Sequence, residues 1–490
     1  MAGVKTNTRH HTRTARRNLA VLAVSLLATG LAAVSFAKTA ATPPAATTPA
    51  PVKLTVELDR PVLPADRTET VVVKVGLTGD RPPARADRPP VNLALVIDKS
   101  GSMSGEKIRQ ARAAALEAIN HLSPDDIVSL VVFDSEVRTL RPAARLGDGR
   151  QLRDAINEIA AGGMTALYGG VTQAAAELRK SAEPVSSGPG AREHSAGRIL
   201  SHRMLLLSDG AANVGPSSPD DLGRAGAALR REGISVTTIG LGLGFNEDLM
   251  TRLARRSDGN TYFVEHSADL PRIFSEELGD VLSVVARSVV VEVTFPEGVR
   301  PRHIVGRDGA IDGQRARIDL GQVYGGQEKF VLVEAEVSPA ASSGRNRPVA
   351  DAAIRYEEAT TGRPQNAAAT ASVTFTTDEK AVIASANHRV QADYAENKLA
   401  ETRDRAIALV DAGRRDDAAR LLNAQSDEFR VLGGTYNNTA VSALAPAPAA
   451  AAEQIATGNF DNATRKTWRA SSLQTVNQQR VKNDATPDAP

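Results

Sequence analysis

Asp98, Ser100 and Ser102 stand at alternate positions in the run Asp98-Lys99-Ser100-Gly101-Ser102, so one carboxylate and two hydroxyls are able to face a common point. Gly101 lacks a Cβ and lets the backbone turn tightly between the serines. Two further oxygen groups lie far along the chain. Thr165 closes Gly162-Gly163-Met164-Thr165 at the start of a helical stretch, and Asp209-Gly210 follows the apolar run 204–208. Two carboxylates and three hydroxyls, with no sulfur or imidazole, make a hard-oxygen donor set. Such a set suits Mg²⁺ or Mn²⁺ and admits Ca²⁺. With few charged ligands the metal stays electrophilic, and an open position attracts an outside carboxylate. The expected chemistry is recognition rather than turnover.

Composition removes several alternatives. The chain has no cysteine, which excludes disulfides, thiolate zinc sites, iron–sulfur clusters and cysteine catalysis. Its eight histidines are scattered and form no HExxH. Net charge is +2, and Lys5, Arg9, Arg13, Arg16 and Arg17 more than account for it. The remaining body is slightly acidic, so no nucleic-acid partner is expected. No general base is identifiable beside Ser102 or Ser104, and Gly240-x-Gly242-x-Gly244 lacks the dinucleotide spacing because position 245 is Phe. The chain is read as a non-enzyme, with an envelope-channel regulator and a metal-dependent hydrolase as the competing readings.

The elements that must hold these groups follow from hydropathy pattern. Residues 52–59 and 69–77 alternate apolar and polar, as half-buried antiparallel strands do. From 91 to about 285, short apolar runs alternate with segments of helical period, which predicts a mostly parallel sheet covered on both faces. Asp98 and Asp209 then fall at carboxyl ends of strands, where open α/β sheets bind ligands. Residues 286–377 return to alternation. Two strands at 52–80 are unstable alone, so they should share a sandwich with these later strands. The predicted architecture is a doubly wound, mostly parallel α/β sheet inserted in an antiparallel β-sandwich and followed by a helical C-terminal region. That region is a hairpin over 380–428. Residues 436–490, with Ala/Pro low complexity at 441–452, read as a largely disordered tail in which Trp468 is a stray aromatic.

The motif set resembles the von Willebrand factor type A domain with its metal-ion-dependent adhesion site. The likeness covers residues 91–285, with D-x-S-x-S, Thr and Asp falling on Asp98, Ser100, Ser102, Thr165 and Asp209. The resemblance implies that the two serines and the threonine touch the metal while the aspartates act through water. It implies a protein partner that supplies an Asp or Glu carboxylate. The flanking layout, with Phe295-Pro296-Glu297-Gly298 and Leu320-Gly321-Gln322-Val323, is similar to calcium-activated chloride channel regulators and inter-α-trypsin inhibitor heavy chains.

Residues 1–37 combine a basic start, an apolar stretch and Ser35-Phe36-Ala37, which predicts an export signal cleaved after Ala37. An uncleaved anchor is the alternative, and would be the chain's one membrane link. Arg16-Arg17 leaves the export route, general secretory or twin-arginine, open. Residues 38–51, almost purely Ala, Thr and Pro, read as a semi-extended linker. The expected location is the periplasm, cell envelope or exterior.

Overall fold

The computed structural model describes residues 51–80, 90–180, 201–339 and 346–479. The expected leader, nearly all of the linker, residues 81–89, 181–200 and 340–345, and the last part of the expected tail, 480–490, lie outside them. Three strands come first: β1 (Val52–Leu58), β2 (Val62–Pro64) and β3 (Glu69–Gly79). The α/β unit opens with β4 (Val91–Asp98), α1 (Glu106–Asn120), β5 (Ile127–Phe133) and β6 (Val137–Arg145). It continues through α2 (Arg150–Asn157), α3 (Leu167–Lys180), β7 (Ser201–Ser208) and α4 (Pro219–Arg231). It ends in β8 (Ile234–Leu241), α5 (Glu247–Arg256), β9 (Thr261–Val264) and α6 (Leu270–Val281). Strands then resume: β10 (Val284–Thr294), β11 (Val299–Val305), β12 (Ala310–Asp312) and β13 (Arg315–Tyr324). The last three are β14 (Glu328–Val337), β15 (Arg347–Glu358) and β16 (Pro364–Thr376). The helices α7 (Glu379–Ala384), α8 (His388–Asp411), α9 (Arg415–Thr435), α10 (Thr439–Leu444), α11 (Pro446–Ala456) and α12 (Asn462–Asn477) follow.

The first strands and the late strands form one sandwich of two sheets, ordered β1-β3-β14-β11 and β12-β13-β10-β15-β16-β2. β3 zips antiparallel to β14, from Glu69 opposite Val337 to Thr78 opposite Glu328, so strands on either side of the α/β unit share one ladder. Period-2 alternation explains why. Val71, Val73, Val75 and Leu77 point into the common core with Val291, Ile318, Val333 and Ile354. Val72 points the other way, onto Val390 of α8.

The α/β sheet runs β6-β5-β4-β7-β8-β9, parallel except for β6. Its inner strands carry near-continuous apolar runs because both faces are covered. Leu93, Leu95 and Ile97 face α1, α2 and α6, while Ala94 and Val96 face α3, α4 and α5. Each such fully buried Leu or Ile contributes about 1.5–3 kcal/mol. Strand β4 lies between β5 and β7, the point at which the winding reverses. The edge strand β6 had no clear signal, since its residues are mostly only half buried and alternate poorly.

The expected disordered tail is folded through Asn477. Residues 439–477 form α10, α11 and α12, and α9 continues past 428 to Thr435. Alanine-rich sequence is low in complexity but highest in helix propensity. Pro446 and Pro448 sit at the start of α11, where a missing N–H costs nothing. Ala451, Ala452 and Ile455 then pack on Ala406, Ile407, Ala418 and Leu422. Trp468 belongs to that core, its ring 4.9 Å from Phe460. Among the described residues no helix is long and apolar enough to cross a membrane.

Two polar clusters tie the α/β domain to its neighbours. Arg203 on β7 is fully buried and donates to Gln322 Oε1 and Tyr324 OH of β13, both at 2.8 Å. On the far edge, Gln474 and Asn477 of α12 donate to Thr261 O and Gly259 O, at 2.9 and 3.0 Å, and cover edge strand β9. Arg465 and Lys466 of α12 pair with Glu247 in the first turn of α5. The Lys466 ammonium also donates to Phe245 O at 2.6 Å. Helix α12 therefore fastens the loop that leads from β8 into α5.

Candidate metal centre

The carboxyl ends of β4 and β7 meet at the winding reversal, and the sequence places Asp98 on one and Asp209 just after the other. Asp98 ends β4 fully buried. Its Oδ1 accepts from the Ser100 N–H at 2.8 Å and its Oδ2 accepts from Ser208 Oγ at 2.5 Å. The chain then makes a 3-10 turn over Gly101–Met103, which swings Ser102 back toward Ser100. Their hydroxyl oxygens are 3.1 Å apart, and Ser102 Oγ donates to Asp209 Oδ1 at 2.7 Å. Four of the five sequence-selected residues thus form one hydrogen-bonded string.

Thr165 joins them from the loop before α3. That loop is laced to the serine loop by the backbone: Gly101 N–H donates to Gly163 O at 3.0 Å and Gly162 N–H to Lys99 O at 2.7 Å. Gly163 takes φ +82, which an L side chain there would resist. Asn213 fixes Thr165 from the other side, accepting its N–H at 2.8 Å while the Asn213 N–H donates to Thr165 O at 3.1 Å. Gly210 lies against the cluster. A Cβ there would stand 3.0 Å from Thr165 Oγ1 and 3.7 Å from Ser102 Oγ. The glycine therefore keeps open the space that the Thr165 and Ser102 hydroxyls border.

Burial pushes the Asp98 carboxyl above its ordinary pKa, although Ser208 and Ser100 hydrogen-bond its charged form; Asp209 adds like-charge repulsion. Both aspartates are almost wholly shielded from water. Lys107, in the first turn of α1, pairs with Asp209 Oδ2. Among the described residues no group of three His, Cys, Asp or Glu gathers to hold a metal, so a cation here must draw on hydroxyls. An all-oxygen set, two shielded carboxylates of like charge and a glycine-bounded space fit a small hard divalent cation.

Lys107, Ser208 and Asn213 were not singled out by sequence. Ser208 adjoins Asp209 and Lys107 follows the serine loop by a few residues, but partnership with the two aspartates is set only by the fold. Asp134 follows β5 directly and lies against Gly163 of the loop that carries Thr165. It pairs with Lys99, its Oδ1 accepts from the Glu136 N–H at 2.9 Å, and its backbone O accepts from Ala166 N–H at 2.8 Å. Partial burial would raise its carboxyl pKa, but Lys99 and the Glu136 N–H hold it below the ordinary value. Gly240–Gly244 is a strand-to-helix turn, with Gly244 packed against Asp209 O. His202 is half buried beside Asn92 Nδ2 at 2.9 Å, and burial pushes its pKa down.

Lys107 gives a first expectation. Its ammonium compensates Asp209 and opposes an incoming cation, so Lys107→Met should raise Mg²⁺ affinity about tenfold, roughly 1.4 kcal/mol. Calorimetric titration of both proteins checks it; equal or weaker binding by the variant would refute the role.

The fold and cluster define a class: open α/β domains that present oxygen ligands at the reversal point of a parallel sheet. Residues 92–276 match the family model of the von Willebrand factor type A domain, and the chain carries such a domain there. Domains of this family commonly mediate protein–protein interaction and typically bind a divalent metal at such a cluster. An uncharacterised protein of Synechocystis is 28% identical over 39% of this chain and 43% of its own length. Human inter-alpha-trypsin inhibitor heavy chain H3 is 26% identical over 42% of this chain and 22% of its own. The chain therefore spans less than half the length of these curated relatives. A solved von Willebrand factor type A protein of Catenulispora acidiphila has the same fold, with a TM-score of 0.61 at 16% identity, covering 87% of this chain and 97% of that one.

Proposed function

We propose that the chain is an exported, non-enzymatic binding protein that captures an Asp or Glu of a protein partner through Mg²⁺ or Mn²⁺ held by Asp98, Ser100, Ser102, Thr165 and Asp209. The observation that carries this reading is the pair of shielded carboxylates joined through Ser102 and Ser100, bordered by Thr165 and kept open by Gly210. Few charged donors leave the cation electrophilic, and a partner carboxylate completes its shell. Export rests on the basic-apolar pattern of residues 1–37.

The test is binding of a blocked glutamate peptide to the purified chain in Mg²⁺ and in EDTA, after direct titration with Mg²⁺ and Mn²⁺. Metal binding followed by peptide binding that EDTA abolishes is the expected result. Peptide binding of equal strength in EDTA would remove the metal from the mechanism.

A further inference from the structure

The rim of the metal centre carries an apolar signature. Among the described residues four large hydrophobic side chains stand exposed, and two of them, Met164 at 51% and Leu243 at 54%, flank the oxygen cluster. Met164 precedes Thr165 on the loop laced to the serine loop through Gly163 O and Gly101 N–H. Leu243 lies between Gly242, which packs beside the Lys107 ammonium, and Gly244, which packs on Asp209 O. The two therefore stand on separate loops that touch the cluster, one next to the threonine and one next to the second aspartate.

Both are held out by their backbone. Gly163 at φ +82 and Gly242 at φ +70 set conformations that an L residue resists, and each immediately precedes the exposed side chain. The leucine loop is further fixed from behind, where Lys466 of α12 donates to Phe245 O. Isolated exposed hydrophobics need no explanation, but two fixed ones flanking a charged cluster mark a contact surface. Charge narrows the partner: the Lys107 side chain, 36% exposed, brings a cation to this rim. An acidic segment is complementary to that cation and to a bound divalent metal.

We infer that the partner segment is an extended strand with an apolar residue two positions before and two positions after the metal-capturing acid. In an extended chain residues i−2, i and i+2 share one face, so a carboxylate on the metal places those two side chains toward the flanking loops. One packs on Met164 and the other on Leu243. The inference rests on the metal-dependent reading above and adds the specificity that the metal itself lacks.

The experiment compares two blocked peptides, one containing Leu-Ser-Glu-Ser-Leu and one containing Ser-Ser-Glu-Ser-Ser, on the full chain in Mg²⁺. Met164→Ser, Leu243→Ser and the double variant are measured alongside, and Mg²⁺ affinity is titrated separately for each protein. The leucine peptide should bind roughly tenfold more tightly. Each single variant should cut that preference about threefold, the double should erase it, and Mg²⁺ affinity should not change. Equal binding of the two peptides, or a preference that survives the double variant, overturns the inference while leaving metal capture intact. Mg²⁺ binding with neither peptide bound overturns carboxylate capture and this inference with it; absence of Mg²⁺ binding removes the metal reading itself.

Discussion

Asp98→Asn should all but abolish Mg²⁺ binding and leave the protein folded. The amide has nearly the shape of the carboxylate. Its oxygen still accepts from the Ser100 N–H, and its NH₂ meets the Ser208 hydroxyl, which turns from donor to acceptor. What changes is charge. One of the two shielded negative groups is gone, and affinity should fall at least about 100-fold, roughly 2.7 kcal/mol. Stability should move the other way. Burial holds the Asp98 pKa above its ordinary value, so the ionised form is less at home in the fold than in the unfolded chain. A neutral amide removes that penalty. In EDTA the variant should therefore melt at or above the wild-type temperature. In Mg²⁺ the wild type gains stability as ligand linkage requires, and the variant gains none. Thermal melts in EDTA and in millimolar Mg²⁺ decide it; a variant that keeps the Mg²⁺-dependent shift would show that Asp98 does not hold the cation.

How much of this was legible before the fold differs by region, for physical reasons. The five oxygen residues announce themselves because their backbone requirements are local: a hydroxyl every second residue, glycines at the turns, a carboxylate at the end of an apolar run. Lys107, Ser208 and Asn213 have no such requirement. Each acts on a residue brought near by sheet order, as when Ser208 of β7 reaches Asp98 of β4. The inserted layout was readable because β1 and β3 cannot stand alone, and pairing of β3 with β14 supplies the missing partner. The tail misled because alternation and helical period both vanish in an alanine run, although alanine is where helix propensity is greatest. Only the packing of Ala451 and Ala452 on α8 and α9 gives that run a reason to fold.

The helices at the end of the chain are more than an appendage. Helix α12 covers edge strand β9, whose free backbone would otherwise invite pairing with another chain. Through Lys466 and Arg465 it also holds the loop and first turn that lead from β8 into α5. The region misread as disordered thus fixes one wall of the proposed contact surface.

Glu277→Ala should destabilise the α/β domain by about 3–5 kcal/mol. Glu277 lies on α6, wholly buried. Its Oε1 accepts from Thr237 Oγ1 at 2.5 Å, and its Oε2 accepts from Asn260 Nδ2 at 2.8 Å and Tyr262 OH at 3.1 Å. The Arg203 guanidinium is 3.9 Å away, itself buried and bonded to β13. Alanine takes away the acceptor of the Thr237, Asn260 and Tyr262 donors and one of the two carboxylates, with Asp258, whose charge acts on the buried Arg203, the costly way to break such a network. A fall in melting temperature of about 10 °C is expected. Arg203→Met in the same chain should recover part of it, because the under-compensated cation is then gone, with a coupling of at least about 1 kcal/mol in the double-mutant cycle. A loss below about 1 kcal/mol for Glu277→Ala would mean that water replaces the carboxylate at no cost. The consequence reaches the metal centre: α6 packs on α1, with Ser275 Oγ 2.9 Å from His121 Nε2, and α1 carries Lys107 to Asp209. Freeing α6 should therefore loosen the Lys107–Asp209 pair and raise Mg²⁺ affinity, as Lys107→Met does, measurably below the melting transition. Intact Mg²⁺ affinity in the destabilised variant would separate the helix anchor from the site.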